Sequence, residues 1–330
     1  MDLILGKESI GKLFVKYSIP SVIAMVVFSV YIVVDGIFVG NVIGSKGLSA
    51  VNIAMPFFGV AMAIGIMVAI GGGTITSIEL GKGDKSAARK TFSLAFYTLI
   101  IITLTLSVFT VIFAPTIAKI LGANKELVPL VVEYLVSLCL FLATFVGSSY
   151  LSSGLRVMGK PNHAMVADII SSILNIVLDY IFIVKIGLGL AGAGLASGIA
   201  FTIGFLFALS QYLKKDSILK FCEIKFDFKK IIRIFYNGSS EGITQFAVAF
   251  STYIFNIVLM IRIGEIGVSA FSIILYIASL VIAIFSGICN VISPIISFNY
   301  GANNKDRINK ILKIAISTII IIGISSTILM

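Results

Sequence analysis

The sequence predicts an all-α polytopic membrane protein on three grounds. Hydrophobic residues occupy 58% of the 330 positions, charged residues only 12%, and the mean hydropathy is +1.11. Several apolar runs exceed the roughly 20 residues that cross a bilayer as a helix. These runs are continuous rather than alternating, a pattern typical of membrane helices and not of β-barrel strands.

Nine apolar spans can be placed along the chain. They divide it into an N-terminal lobe of six helices (1–213), a cytoplasmic connector (214–232) and a partial C-terminal lobe of three helices (233–330). The predicted spans cover about 13–39, 51–78, 91–114, 127–151, 163–184, 190–213, 233–262 and 268–298, and the ninth begins near 309.

The basic residues predict the orientation of these spans. With the N-terminus in the cytoplasm, 20 of the 25 Lys and Arg residues fall on the cytoplasmic side. Cytoplasmic loops of membrane proteins carry such an excess of positive charge, so we expect a cytoplasmic N-terminus. The basic residues left outside are Lys46, Lys119, Lys125, Lys185 and Arg262.

An internal repeat links the two halves of the chain. When the sequence is aligned with itself at one constant offset and without gaps, GLSA at 47–50 matches GVSA at 267–270. At the same offset, LGKGDK at 80–85 matches YGANNK at 300–305. The repeat unit therefore holds six spans, an even number, so both copies cross the membrane in the same direction. Such copies are related by an axis along the membrane normal, as in some secondary transporters.

Several function classes lack support in the sequence. The three cysteines (Cys139, Cys222 and Cys289) form no CxxC pair, and no phosphate-binding loop, nucleophile elbow or His/Glu metal spacing is present. The positive charge lies in short loops rather than in a separate basic domain, so topology explains it better than nucleic acid binding. We therefore predict neither an enzyme nor a cofactor, and membrane lipids rather than nucleic acid as surroundings.

Polar side chains inside three of the spans predict a cation site. Asn175 and Asp179 lie four residues apart on one face of span 5, Asp35 lies in the outer third of span 1, and Ser197 lies in the outer half of span 6. A charged Asp in hydrocarbon costs roughly 2.5–3.5 kcal/mol. Oxygen ligands of this kind suit Na⁺, and two close carboxylates suit a shared proton. The alternative is that both acids merely hydrogen-bond to neighbouring helices.

Three further residues are accessory candidates. Asp168 lies on the face of Asn175 but nearer the cytoplasm, where it either extends a polar path or caps the helix. Glu241 lies in the cytoplasmic third of span 7, as a second cation-linked group or an interfacial acid. Pro20 removes one backbone hydrogen bond from span 1 and allows a kink there.

Four stretches carry a resemblance to the MATE (multidrug and toxic compound extrusion) family, nearest its DinF/MepA-like branch. They are IPSVIAMVVFSVYIVVDGIFVG, RVMGKPNHAMVADIISSILNIVLDYIFIVKIGLGLAGAGLAS, NGSSEGITQF and SPIISFNYGANNK. The resemblance implies two six-helix lobes forming a V in the bacterial plasma membrane. It also implies export of cationic amphiphilic small molecules coupled to inward H⁺ or Na⁺.

Site residues carry over from this resemblance by position. Asp35, Asn175 and Asp179 match the cation site of the N-terminal lobe, and Ser197 stands where the family often has Thr. Pro20 matches the proline at which the first helix is proposed to bend when the acid is protonated.

Two other functions stay open at this point. One is a related flippase for lipid-linked oligosaccharides, which would be expected to have a more basic cavity to hold phosphates. The other is an inactive transporter fragment, because the family normally has twelve spans and nine are predicted here.

Overall fold

A computed structural model describes residues 4–329, with the side chains of all of them except 4, 7, 280, 281 and 325–329. Among these residues the regular structure is helical throughout. The helices are α1 (Ile4–Lys7), α2 (Ile10–Val42), α3 (Ser45–Gly81), α4 (Lys85–Ile120), α5 (Val128–Cys139), α6 (Leu142–Val157), α7 (Pro161–Asp179), α8 (Gly189–Tyr212), α9 (Phe228–Arg262), α10 (Glu265–Gly301) and α11 (Lys305–Leu329).

Each predicted span coincides with helix, which confirms the all-α fold class. Seven helical segments of the described residues are long and apolar enough to cross a membrane, and the bent pair α5–α6 makes an eighth. The helix at the predicted ninth span, α11, does not pass this test of length and composition over its described residues.

Two of the predicted spans are not straight α-helices. The fourth span breaks after Cys139, and its halves α5 and α6 meet at an angle of 52°. The fifth span changes after Asp179 into a π-helical turn, Tyr180–Lys185. Such turns are rare in proteins, but those that occur often lie at functional sites. This one directly follows Asp179, a predicted site residue.

The segment between α8 and α9 folds back onto the end of α3 and the beginning of α4. Arg89 Nε donates to the carbonyl oxygen of Ile218 (2.8 Å), and the Lys230 ammonium pairs with Glu79 Oε1 (3.2 Å). Asp227 Oδ1 accepts from the backbone N–H of Lys230 (3.0 Å). This N-cap is why α9 begins at Phe228, inside the predicted connector.

The backbone confirms the internal repeat. Helices α3 and α10 are equally long, and the shift that aligns the sequences superimposes both their first and their last residues. Gly44 and Gly264 are equivalent under this shift and precede these helices with φ of 86° and 83°. Gly83 (φ 84°) follows α3, and its counterpart after α10 is Asn303 (φ 57°). Asparagine is one of the few residues that tolerate this left-handed conformation.

The repeat creates two related antiparallel helix pairs, α2 with α10 and α3 with α9. In the first pair, the hydroxyl oxygens of Ser29 and Ser279 lie 2.9 Å apart. At the equivalent point of the second pair, Gly59 lies against Ala249, whose Cα would be 3.4 Å from a Cβ at Gly59. The two halves of the chain are therefore joined along two long helix–helix contacts, here called the α2–α10 seam and the α3–α9 seam, and not through the connector alone.

A third contact joins α3 and α10 at their C-terminal ends. A Cβ on Gly81 would lie 3.0 Å from the backbone nitrogen of Ala302, and a Cβ on Gly301 would lie 2.9 Å from Cα of Ile78. Gly81 and Gly301 are equivalent positions of the repeat, so each helix presents the same glycine to the other. The crossing is self-complementary, as a pseudo-two-fold axis requires.

Candidate functional site

The four predicted cation-site residues lie together inside the first lobe. Asp35 comes from α2, Asn175 and Asp179 from adjacent turns of α7, and Ser197 from α8. All four side chains are buried; Asn175 and Asp179 are fully inaccessible. Three helices thus bring polar oxygens to one buried place.

Asn175 joins the hydroxyl to one of the carboxyl groups. In the amide orientation that gives both ends a partner, its nitrogen donates to Asp179 Oδ2 at 2.9 Å. Its oxygen then accepts from Ser197 Oγ at 2.9 Å and from the Ser197 backbone N–H at 3.2 Å. The side chains of α7 and α8 are therefore held in one hydrogen-bonded chain.

The two carboxyl groups face each other across the α2–α7 contact. The side chains of Asp35 and Asp179 interact directly. Within the described part of the chain, neither Asp35 Oδ1 nor Asp179 Oδ1 has a hydrogen-bond partner. Burying a carboxylate without compensation is costly, so this arrangement favours a shared proton or a bound cation.

Few side chains at this site could act as ligands of a metal ion. Over residues 4–329, no group of three or more His, Cys, Asp and Glu side chains is placed to hold a metal ion. Two carboxylates with an amide and a hydroxyl match the hard oxygen ligands of an alkali cation better than the donors of a transition metal.

Tyrosines surround the acidic pair, and the sequence reading missed them. Tyr31 lies one turn before Asp35 on the same helix face, and Tyr134 lies close to both acids. The ring of Tyr31 packs on Phe201 (5.7 Å between centroids), and that of Tyr134 packs on Phe58 (5.8 Å). The i, i+4 spacing of Tyr31 and Asp35 was the available signal for the first of them.

Glu133 positions the helix that carries Ser197. Its Oε1 accepts from the backbone N–H of Ala191 at 2.8 Å, in the first turn of α8. An anion at a helix N-terminus is stabilised by the unpaired N–H groups and by the helix dipole. The small residues of α8 also allow Phe141, at the bend between α5 and α6, to pack closely against this helix. A Cβ on Gly198 would lie 2.8 Å from Cβ of Phe141.

Asp168 lies apart from the four site residues. It accepts from Arg156 Nη2 at 2.8 Å and from Ser152 Oγ at 2.7 Å, both on α6. Arg156 falls between the predicted spans 127–151 and 163–184 and was therefore expected in a loop, whereas the structure buries it within α6. The pair joins α6 to α7 and leaves Asp168 with partners on both oxygens.

We expect this buried ion pair to be costly to break. Removing one partner of a buried pair typically costs about 3–5 kcal/mol, because the other charge is left uncompensated. Asp168→Leu or Arg156→Met alone should therefore lower the midpoint of thermal unfolding in detergent. The double variant should recover most of the loss, and equal loss in the double and single variants would contradict the assignment.

The remaining candidates are outside this cluster. Glu241 is exposed on α9 and interacts electrostatically with Cys289 of α10. Pro20 is buried within α2, which continues as a helix from Ile10 to Val42. A role for either Glu241 or Pro20 stays a prediction.

Comparison with known proteins agrees with the fold. The family model MatE matches residues 20–181 and 221–330. The chain is 26% identical over 318 residues to the multidrug export protein MepA of Staphylococcus saprophyticus, covering 96% of this chain and 70% of that protein. It is 27% identical over 316 residues to MepA of Staphylococcus aureus, covering 95% and 69%.

Solved structures of transporters share the architecture. An outward-facing conformation of a multidrug resistance MATE family transporter of the MOP superfamily has a TM-score of 0.88 and 25% identity, over 98% of this chain and 72% of that one. A MATE in a bent conformation has a TM-score of 0.84 over 98% and 73%. The family match covers well over half of the sequence, and the structural matches cover nearly all of it. The chain therefore belongs to the MATE family of membrane transporters and not to a family of enzymes.

Proposed function

We propose that this protein exports cationic amphiphilic compounds across the bacterial plasma membrane in exchange for inward H⁺ or Na⁺. The observation that supports this most directly is the buried pair Asp35 and Asp179, each with an oxygen that lacks a partner among the described residues. Asn175 and Ser197 supply the neutral oxygens beside it. The similarity to multidrug export proteins of two staphylococci supports outward transport of drug-like small molecules.

Cation coupling follows from the chemistry of the pair. A proton or Na⁺ that enters from outside cancels one of the two charges of the adjacent buried carboxylates and so relieves their repulsion. It thereby stabilises whichever arrangement of the helices holds them closest. A ligand shifts a conformational equilibrium only through its different affinity for the two states. The acids provide that difference if one state separates them or admits water to them.

The charge of the interior favours cationic substrates over phosphate-bearing lipid carriers. The acidic pair gives the first lobe negative charge, whereas the buried Arg156 is neutralised by Asp168. A flippase for lipid-linked oligosaccharides would need uncompensated basic groups to hold a phosphate. This contrast makes the flippase the weaker alternative.

We also propose that the N-terminus faces the cytoplasm. Helix α2 would then run outward and place Asp35 nearer the external surface, the side from which the coupling cation enters. The pair of Lys46, in the first turn of α3, and Glu126, between α4 and α5, would lie outside (2.5 Å). The proposal follows the positive-inside bias of the loops.

Ethidium accumulation in everted vesicles containing the 330-residue chain tests this proposal, because an exporter moves its substrate into the lumen of such vesicles. We expect transport when an H⁺ or a Na⁺ gradient is imposed, and the gradient that drives it identifies the coupling ion. A twelve-span MATE transporter in the same vesicles serves as the positive control. An inserted chain that transports nothing under either gradient would support the inactive-fragment alternative and contradict the proposal.

A further inference from the structure

The seam between α2 and α10 places a tyrosine of the second repeat beside the acidic pair. Val22, Ser29 and Gly36 recur at heptad spacing on α2 and so share one face. They meet α10 at Gly287, Ser279 and Tyr276 respectively. Asp35, the neighbour of Gly36, faces α7 instead.

The ring of Tyr276 packs tightly against Gly36. A Cβ placed on Gly36 would lie 2.7 Å from Cζ and 3.0 Å from Cδ2 of the Tyr276 ring. The same tyrosine interacts electrostatically with Asp35 and with Tyr134. The ring therefore rests on the backbone of α2 at the turn that carries the acid.

The polar groups of the seam hold this ring in register. Ser279 Oγ donates to the backbone carbonyl of Tyr276 at 2.7 Å and lies 2.9 Å from Ser29 Oγ. Both serines lie in the hydrocarbon region, where such bonds have little competition from water. A shift of α2 at Gly36 must therefore move Tyr276, and with it α10.

The equivalent place in the other seam is built differently. Asn256 is the counterpart of Gly36, and its Nδ2 donates to the backbone oxygen of Asn52 at 2.9 Å. Asn52 Nδ2 returns a bond to Asn256 Oδ1 at 3.1 Å. The counterpart of Tyr276 is Pro56, which lines an apolar cavity of about 400 Å³. The ring-on-glycine contact thus belongs only to the seam that adjoins the acids.

We propose that the ring of Tyr276 is a positioning residue that transmits occupancy of the cation site to the second repeat. This inference rests on the proposed function, in which Asp35 and Asp179 bind the coupling cation. When the cation binds the pair and relieves the repulsion between the carboxylates, α2 shifts relative to α7. Gly36 carries no side chain to absorb that shift, so it reaches α10 through the ring. Close-packed interiors transmit displacements of this kind between discrete arrangements.

A cysteine reporter on α10 tests the transmission separately from cation binding. Ser272, one turn outward from Tyr276, is buried and lies 3.4 Å from the carbonyl oxygen of Leu48 on α3. In a background with the three native cysteines replaced by alanine, Ser272→Cys is labelled with a membrane-impermeant maleimide in liposomes. The rate is measured with and without Na⁺, and at neutral and acidic pH. Each rate is divided by that of the same protein unfolded in SDS at the same pH, because maleimide reacts with the thiolate, whose fraction falls on acidification. Ion-dependent thermal stabilisation of the same protein reports binding.

We expect the ion that drives transport to change the labelling rate by at least about fivefold, the low end of coupling between two sites. Tyr276→Ala should keep the thermal stabilisation but lose the change in labelling rate, while Tyr276→Phe should retain both. Tyr253→Ala on α9 is the matched control and should behave as the parent. If Tyr276→Ala does not fold, Tyr276→Leu removes the same ring at closer volume.

The outcomes separate the two proposals. A full labelling response in Tyr276→Ala, or none in the parent protein, would overturn the inference about Tyr276. Asp35→Asn should lose both the stabilisation and the labelling response. If Asp35→Asn retains both, cation binding at this pair is wrong, whatever Tyr276 does.

Discussion

Asp35→Asn should abolish gradient-driven efflux while leaving the protein folded. The amide has nearly the shape of the carboxyl group and can donate to Asp179, so the α2–α7 contact survives. It cannot bind a proton or balance the charge of a cation, however. A site with equal affinity in both states shifts no equilibrium. The expected loss is therefore the whole gradient-dependent component and not a change in substrate affinity.

The measurement is ethidium accumulation in everted vesicles with and without the imposed gradient, at matched protein content. Asp306→Asn makes the same chemical change at an exposed position of α11 and should transport like the parent. Binding of ethidium to the purified variant should persist, because the substrate does not require the proton-carrying oxygen. Full gradient-driven efflux by Asp35→Asn would remove this acid from the coupling mechanism.

Gly238→Val should prevent the two halves from packing. A Cβ on Gly238 would lie 2.6 Å from the carbonyl carbon and 2.7 Å from Cα of Met67 on α3. These are backbone atoms, which cannot rotate away as a side-chain end can. Gly71 makes the reciprocal approach, because a Cβ there would lie 3.0 Å from the backbone nitrogen of Gly238. Overpacking in an adaptable core costs about 1–3 kcal/mol, and we expect more here because α3 and α9 must separate.

Size-exclusion chromatography in detergent and the midpoint of thermal unfolding measure this effect. Gly11→Val is the control, since nothing lies within 4 Å of the Cβ that it adds to α2. We expect Gly238→Val to give little monodisperse protein and Gly11→Val to give the parent yield. Equal behaviour of the two variants would show that α3 and α9 are not in contact at this level of the membrane.

The helices and the cluster of site residues were predictable because their signals are local. Long apolar runs predict spans, and four-residue spacing places Asn175 and Asp179 on one face. The proximity of Asp35 and Ser197 to them followed from counting depth in three separate spans. The repeat was also visible, because GLSA and LGKGDK recur as GVSA and YGANNK at one constant shift.

The features that sequence reading missed depend on contacts between distant segments. Nothing in VEYLVSLCLFLATFVGSS predicts the bend after Cys139, because its residues are all compatible with a straight helix. Arg156 next to a loop-like MGKP suggests a surface charge, and only the position of Asp168 on α7 shows that it is buried. The place of Tyr276 beside Gly36 depends on how α10 packs against α2, which hydropathy does not encode.

The self-complementary crossing of α3 and α10 has a consequence for biosynthesis. All of the helices from α4 to α9 lie between the two glycines that meet there, so α3 leaves the ribosome long before its partner exists. At synthesis rates of about 5–20 residues per second, the interval is roughly 10–45 s. During that time the glycine face of α3 has only lipid and water against it. The crossing therefore closes only after α10 has been inserted, and α3 enters the bilayer without that contact.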